Sequence, residues 1–216
     1  MDRQASLLSY TTTPTPQHLD DLKARAQACT RCPIHTHMGR CALYLGTPTA
    51  PVLVLAEKNG LAEAELGEPF ASPVTRGELA RNLSKAGLHP WQDVRATNLV
   101  LCGIPEPRPP AQEELKNCQW WAQLIELYPP QLIIALGQVV IEHLKPPELL
   151  SRSVTDWNGV TFTWRTILVV CSYNTAYLIR IRDVNPDLYK QAVAVWRGPV
   201  RNAVAKSLRH STRKPP

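Results

Sequence analysis

The sequence predicts an α/β fold: a three-layer αβα sandwich with a central four-stranded, mainly parallel sheet. Short apolar runs alternate with segments of helical periodicity, which is typical of parallel strands joined by crossover helices. Each run is apolar over most of its length, as expected for a strand that is covered by helices on both faces. The predicted strands span 51–56, 96–102, 131–137 and 166–172.

Helical patterns and turn residues occupy the segments between these strands. Asn158-Gly159 lies between alternating apolar residues and predicts a β-hairpin at an edge of the sheet. Prolines between positions 105 and 110 exclude a helix or a central strand from 103–110, so an extended loop is expected after Cys102. The predicted helices span 17–28, 76–87, 111–128, 138–144 and 187–207.

The size and composition of the chain favour one folded domain. With 216 residues and 44% hydrophobic content, the chain can bury one sizeable core. We expect a single domain over 16–207, a flexible N-terminus over 1–15 and a basic flexible tail over 208–216.

Charge and hydropathy indicate the environment and the class of partner. The sequence contains no apolar run of the length that spans a membrane, and its first residues lack a signal-peptide pattern. We therefore expect a cytoplasmic protein, in which thiols stay reduced. The formal charge of +6 and the pI of about 9.1 favour a polyanionic partner. We expect the protein to be a monomer.

Four of the six cysteines have a spacing that suits a metal cluster. Cys29 and Cys32 form a C-x-x-C, and Cys102 and Cys118 lie far downstream with fifteen residues between them. One close pair with two distant members suits a [4Fe-4S] cluster better than a zinc finger, which usually has two close pairs. Cys41 and Cys171 are interpreted as unligated, and Cys171 as a small buried apolar residue.

Polar clusters follow the predicted strands, at the edge where open parallel sheets bind ligands. AEKNG, LAEAEL and GEPF follow the first strand, TNLVLC ends the second, and SYNTAYLIR follows the fourth. Together with the C-x-x-C, the loop-and-helix segment IPEPRPPAQEELKNC and the strand PPQLIIALG, these segments resemble the iron–sulfur uracil-DNA glycosylases of family 4 in the uracil-DNA glycosylase superfamily. The resemblance covers roughly 26–205.

The resemblance implies a monofunctional DNA glycosylase, which flips a pyrimidine base into a pocket and hydrolyses its glycosidic bond. Glu57 would orient or deprotonate the attacking water, and Asn59 would share the positioning of that water. Phe70 would stack on the base, and Asn98 would read its pyrimidine edge. Lys58 would lie beside the bound base.

DNA is therefore the expected partner, and several side chains are candidates for contacting it. Tyr173 and Tyr177 flank Asn174, and either Tyr177 or Tyr173 would enter the space that the flipped base leaves. The candidates for phosphate contacts are Arg108, Lys116, Arg180 and Arg182.

Two segments depart from the family pattern. Asn174 stands where the family has a histidine that donates a hydrogen bond to the base, and Lys58-Asn59 replaces a small residue and a proline. Three interpretations follow: a uracil glycosylase in which Asn174 acts as the donor, a glycosylase retuned to hypermodified cytosine in phage DNA that acts in antiviral defence, or a catalytically inactive DNA-binding protein with a cluster.

Overall fold

A six-stranded sheet forms the centre of the computed structural model, which describes residues 15–36, 41–104 and 108–209. The strands are β1 (Leu45–Gly46), β2 (Val52–Asn59), β3 (Val94–Gly103), β4 (Leu132–Leu136), β5 (Thr161–Trp164) and β6 (Ile167–Ser172). Their order across the sheet is β1-β3-β2-β4-β6-β5. Most of the two predicted flexible ends, 1–14 and 210–216, lies outside the described residues.

The four predicted strands form the parallel centre of this sheet, which confirms the α/β fold class. β2 pairs in parallel with β3 and β4, and β4 pairs in parallel with β6. The sheet has two more strands than the four predicted, because β1 and β5 add antiparallel edges. β1 has only two residues, which is too short to produce a hydrophobic period.

The hairpin lies at the expected edge of the sheet, but its turn is not at Asn158-Gly159. Those residues end a short helix whose first turn is capped by Ser153, since the Ser153 hydroxyl accepts a hydrogen bond from the Asp156 amide. β5 then pairs with β6 across a turn that contains Arg165, at a φ of 54°. The helix cap prevails over the turn propensity of Asn-Gly.

Helices cover both faces of the sheet. In the described ranges they are α1 (Pro16–Gln27), α2 (Leu61–Leu66), α3 (Pro73–Lys85), α4 (Gln112–Asn117), α5 (Trp120–Leu127), α6 (Gln138–Leu144), α7 (Val154–Trp157), α8 (Thr175–Val184), α9 (Pro186–Val195) and α10 (Arg201–Arg209). None of the helices in these ranges has the length and apolar character needed to cross a membrane.

Two predicted helices are interrupted, and the helices α2, α7 and α8 were not predicted. The segment predicted as one helix over 111–128 is divided at Cys118, whose backbone is extended. The segment predicted over 187–207 contains a π-helical turn, Trp196–Val200, with Pro199 inside it. α8 lies in the polar segment after β6, and Asn174 is its N-cap.

Two apolar layers form the core, one on each face of the sheet. Leu53 and Leu55 of β2 belong to the layer that contains α1, α5 and α6, together with all six cysteines. Val54 and Ala56 belong to the opposite layer, which contains α3, α9 and α10. β2 lies between β3 and β4, so the strand order reverses beside it and a crevice is expected at the carboxyl ends of these strands.

Candidate active site and cysteine cluster

The candidate catalytic residues lie on the central strands and at their carboxyl ends. Glu57, Lys58 and Asn59 end β2, Asn98 is in β3, and Asn174 follows β6. The side chains of Asn59 and Asn98 are in contact. Glu57 and Asn174 belong to the carboxyl ends of two different strands, β2 and β6, at the same edge of the sheet.

Glu57 is a half-buried carboxylate with a cation as its neighbour in sequence. Burial raises the pKa of Glu57 above the usual value for glutamate, and the positive charge of Lys58 lowers that pKa in part. A raised pKa makes the carboxylate a stronger base than an exposed glutamate. Glu57 therefore has the environment of a general base.

Phe70 lies in the loop between α2 and α3, in an unusual backbone conformation. Its φ of 53° is in the left-handed region, which costs a residue with a Cβ about 1–2 kcal/mol. Arg76 holds the loop, since its Nε donates to the Phe70 carbonyl at 3.0 Å and its guanidinium pairs with Glu68 at 2.5 Å. The Phe70 side chain is buried in the same apolar layer as Ala56 and Tyr173.

Asn59 and Asn98 form a buried pair of amides. The Asn59 Nδ2 donates to the carbonyl oxygens of Ala42 at 3.2 Å and Leu101 at 2.7 Å. The Asn98 Nδ2 donates to the Asn59 Oδ1 at 2.5 Å. Asn59 is 0% exposed and Asn98 3% exposed, so both amides lie in a low-dielectric region where such bonds are strong.

Asn174 is the N-cap of α8, and this role orients its amide. Its Oδ1 accepts a hydrogen bond from the backbone amide of Ala176 at 2.9 Å. The cap therefore places the amide oxygen at the helix and leaves the Nδ2 group to donate elsewhere. The Nδ2 group of Asn174 is therefore a candidate hydrogen-bond donor.

Gly137, at the end of β4, provides the space for Asn174. Its backbone has a φ of 92°, and a Cβ at this position would lie 3.2 Å from the Asn174 Cβ. We expect Gly137→Ala to lower the free energy of unfolding by about 1–3 kcal/mol and to reduce activity, because the strained backbone and the clash both displace Asn174. Thermal unfolding and an activity assay would measure the two effects.

Gly87→Ala is the matched control for this substitution. Gly87 also has a positive φ, 82°, but an added Cβ would meet no atom within 4 Å. This variant should lose stability and keep its activity. Equal activities in the two variants would contradict the role of Gly137 in placing Asn174.

Two tyrosines flank Asn174, and the structure distinguishes them. Tyr173 is buried, and its hydroxyl donates to the Thr155 hydroxyl at 3.1 Å. Tyr177 is half-buried and stacks on Tyr173, with ring centroids 5.0 Å apart. Tyr177 is therefore the tyrosine that retains an accessible face.

The basic residues proposed from the sequence divide into two groups. Arg108 binds both carboxylate oxygens of Glu114, at 2.9 and 2.6 Å, and Arg182 pairs with Glu78 and Asp183. Lys116 and Arg180 are exposed on α4 and α8. The intramolecular ion pairs of Arg108 and Arg182 compete with any contact that these residues make to phosphate.

The fold brings the four predicted ligand cysteines into one region. Cys29 and Cys32 follow α1, Cys102 lies near the end of β3, and Cys118 separates α4 from α5. The C-x-x-C loop is held against α5 because the Arg31 guanidinium lies 4.8 Å from the centroid of the Trp120 ring. All four thiols are free.

The pKa values of Cys102 and Cys118 reflect the proximity of other thiols. Burial raises the pKa of Cys102 to about 12, and the negative charges of Cys118, Cys32 and Cys29 add to this effect. Burial also raises the pKa of Cys118 to about 11, although hydrogen bonds from backbone amides, including that of Leu101, oppose the shift. A cationic centre would relieve the repulsion between these thiolates, so the donor set suits a metal cluster.

The described part of the chain contains no preformed site for a single metal ion. Within 15–36, 41–104 and 108–209, no group of three or more histidine, cysteine, aspartate or glutamate side chains converges on a single point. A cubane cluster distributes its four cysteine ligands over separate iron atoms, whereas a zinc ion draws them together. The four cysteines therefore stay a candidate ligand set for a cluster, as their spacing in the sequence predicts.

Cys41, which is predicted to be unligated, is a fifth thiol in this region. Burial raises its pKa, and the charges of Cys102, Cys118 and Cys29 raise it further. The backbone amide of the next residue, Ala42, donates to the Leu101 carbonyl and so fixes Cys41 beside β3. Its spacing from the C-x-x-C gave no indication of this proximity. Cys171, in contrast, is a buried apolar residue of β6, as predicted.

A separate open cavity of about 390 Å³ lies on the side of the sheet that carries α1. Its lining includes Lys23, Cys41 and Glu68. It contains none of the candidate catalytic or base-contacting side chains. We therefore do not assign it as the base pocket.

Comparisons with known proteins bear on this site. The model of the family described as the uracil DNA glycosylase superfamily matches residues 43–197. The chain is 32% identical over 188 residues to the type-4 uracil-DNA glycosylase of Pyrobaculum aerophilum. The aligned region covers 83% of this chain and 94% of that protein. Two further proteins of the same name, from Thermotoga maritima and Sulfurisphaera tokodaii, are 26% and 27% identical and cover 76% and 80% of this chain, and 85% and 79% of their own lengths.

Proposed function

This chain belongs to the uracil-DNA glycosylase superfamily, and from that premise we propose that it is a monofunctional DNA glycosylase that removes uracil and leaves an abasic site. The observation that carries the proposal is the combination of a half-buried carboxylate, Glu57, with two amides of fixed orientation, Asn98 and Asn174, at one edge of the sheet. These groups match the chemical needs of base excision.

Recognition requires a base that is out of the duplex, because stacking hides the glycosidic bond. Phe70 stacks on the flipped base, and its backbone is fixed for this role by Arg76. One amide hydrogen of Asn98 is used in the bond to Asn59, and its other amide hydrogen and its Oδ1 contact the Watson–Crick edge of the base. Tyr177 enters the space vacated in the duplex.

Hydrolysis forms a bond between the water oxygen and C1′ of the sugar and breaks the bond between C1′ and N1 of the base. Glu57 orients the water and accepts its proton, and its negative charge stabilises the oxocarbenium-like sugar. The electron pair of the broken bond passes to the base. Asn174 donates from Nδ2 to the base oxygen on which this charge develops.

A [4Fe-4S] cluster held by Cys29, Cys32, Cys102 and Cys118 would supply a covalent cross-link and no step of the hydrolysis. It would join the segment after α1 to β3 and to the start of α5. Cys102 lies four residues after Asn98, so this cross-link would also fix the strand that carries the base-reading amide.

The DNA backbone is attracted by the positive charge of the chain, +6, and exposed cations make the contacts. Lys116 and Arg180 are the side chains best placed for phosphates, since both are exposed. Arg108 and Arg182 contact phosphate only when their ion pairs with carboxylates break.

The pH dependence of excision should report Glu57. Glu57 acts as an anion, so the rate should rise with pH as the group ionises. Its raised pKa places this rise at a higher pH than the usual glutamate value of about 4.3.

Lys58→Met removes the charge that lowers the pKa of Glu57, so the rise in rate should shift to still higher pH. Single-turnover rates across the acid range would test this, and Lys190→Met on α9 is the control, which should keep the wild-type profile.

A panel of oligonucleotides tests the proposed activity. Substrates that carry uracil, hydroxymethylated cytosine or glucosylated cytosine are incubated with the protein, and alkali reveals abasic sites. Cleavage confined to uracil supports the proposal. Cleavage confined to a modified cytosine would contradict the proposal and favour a glycosylase that is retuned to modified cytosine and acts in defence. Tight DNA binding without any cleavage would favour a catalytically inactive DNA-binding protein.

A further inference from the structure

We propose that Asn59 is a positioning residue that determines specificity, because it locks the side-chain amide of Asn98 in one orientation. The pocket then accepts a pyrimidine with one order of hydrogen-bond donor and acceptor and rejects a pyrimidine in which donor and acceptor are exchanged. This inference rests on the proposed function, since it assigns a role within the base pocket. It gives Asn59 a task other than holding the attacking water.

The orientation of Asn59 follows from its partners. Its Nδ2 lies 3.2 Å from the Ala42 carbonyl and 2.7 Å from the Leu101 carbonyl. Carbonyl oxygens accept hydrogen bonds and have no hydrogen to donate, so the amide nitrogen of Asn59 must face them. Both of its hydrogens are engaged in this way, and the Oδ1 faces the opposite direction.

That orientation is passed on to Asn98. The Asn59 Oδ1 lies 2.5 Å from the Asn98 amide, and only the Nδ2 of Asn98 can donate to it. If the Asn98 amide rotated by half a turn, two acceptor oxygens would face each other in a site where both residues are buried. An unsatisfied buried pair of this kind is strongly disfavoured. Asn98 is therefore left with its Oδ1 and one amide hydrogen in fixed positions.

A fixed amide distinguishes uracil from cytosine. Uracil presents an acceptor at O4 and a donor at N3, whereas cytosine presents a donor at N4 and an acceptor at N3. Stacking and the attached sugar hold either base in the same pose. The Asn98 amide must therefore have one orientation to pair with uracil and the opposite orientation to pair with cytosine. A freely rotating asparagine would accept both bases, whereas the locked Asn98 accepts one.

The test measures binding as well as excision, using oligonucleotides with 2′-fluoro-deoxyuridine or 2′-fluoro-deoxycytidine, in which the glycosidic bond resists cleavage. The wild-type protein should prefer the uracil oligonucleotide. Asn59→Leu, which has a similar size and no hydrogen-bonding group, should reduce the ratio of the two affinities by about tenfold or more. Asn59→Ser, which is too short to reach Asn98, should have the same effect if the leucine variant does not fold.

Thr97→Val is the matched control. The Thr97 hydroxyl donates to the Leu43 carbonyl at 2.5 Å, so it joins the same neighbouring segment to β3 without touching the Asn98 amide. This variant should lose stability and retain the wild-type affinity ratio. In an Asn98→Ala background, Asn59→Leu should change the ratio no further, because Asn59 acts through Asn98.

The outcomes separate this proposal from the proposed function. A folded Asn59→Leu or Asn59→Ser variant with the wild-type affinity ratio would overturn the lock, and so would a wild-type protein that binds both oligonucleotides equally. Failure of the wild type to excise uracil from an ordinary oligonucleotide would overturn the proposed function alone. A reduced affinity ratio in the variants would still support the lock in that case.

Discussion

Glu57→Gln is expected to reduce uracil excision by about 10²–10⁴-fold, the contribution typical of a general base. Glutamine has nearly the same shape as glutamate but cannot accept a proton from water or oppose the positive charge of the sugar. The substitution also removes a carboxylate whose charged form is disfavoured by burial, so the fold should be retained. Single-turnover rates on an oligonucleotide with one uracil would measure the loss.

The control for this variant is Glu65→Gln. Glu65 is exposed on α2, in the segment that follows β2, and it should tolerate the loss of its charge with no change in rate. Full activity of Glu57→Gln, with circular dichroism showing an intact fold, would remove Glu57 from the mechanism.

Cys102→Ala is expected to abolish the cluster and to destabilise the whole domain. The wild-type protein should be brown and contain iron and sulfide in equal amounts, and the variant should be colourless. Cys32 and Cys102 are 70 positions apart, and loss of a cross-link that closes a loop of this length costs on the order of 4 kcal/mol. The melting temperature should therefore fall by roughly 10 °C, as measured by thermal unfolding.

Cys171→Ala separates loss of a ligand from loss of a buried thiol. Cys171 is buried in β6, and its removal should cost roughly 1 kcal/mol and leave the colour unchanged. A Cys102→Ala protein that stays brown, or a wild-type protein that contains stoichiometric zinc and no iron, would contradict the assignment of the cluster.

The centre of the fold could be predicted from the sequence because β2, β3, β4 and β6 each contain an uninterrupted apolar run, as burial on both faces of the sheet requires. The edge strands could not be predicted as readily. β1 has two residues, and it exists only because Leu45 and Gly46 pair with β3. The turn of the hairpin was misplaced because the cap at Ser153 prevails over the local turn preference.

The candidate site was predictable in its residues and less so in their roles. The identities of Glu57, Phe70 and Asn98 stand out from the motifs. The role of Asn59 depends on bonds to Ala42 and Leu101, which are 17 and 42 positions away along the chain. The engagement of Arg108 by Glu114 also depends on tertiary geometry, since a basic residue in a sequence does not reveal its partner.

The most direct test is a crystal structure of the protein with an oligonucleotide that contains 2′-fluoro-deoxyuridine. We expect the uracil to be flipped out of the helix, stacked on Phe70, with Asn98 on its O4–N3 edge and the Asn174 Nδ2 donating to O2. Glu57 should lie on the side of C1′ from which water attacks. A uracil that remains stacked in the DNA, or that binds away from Phe70 and Asn98, would contradict the proposed site.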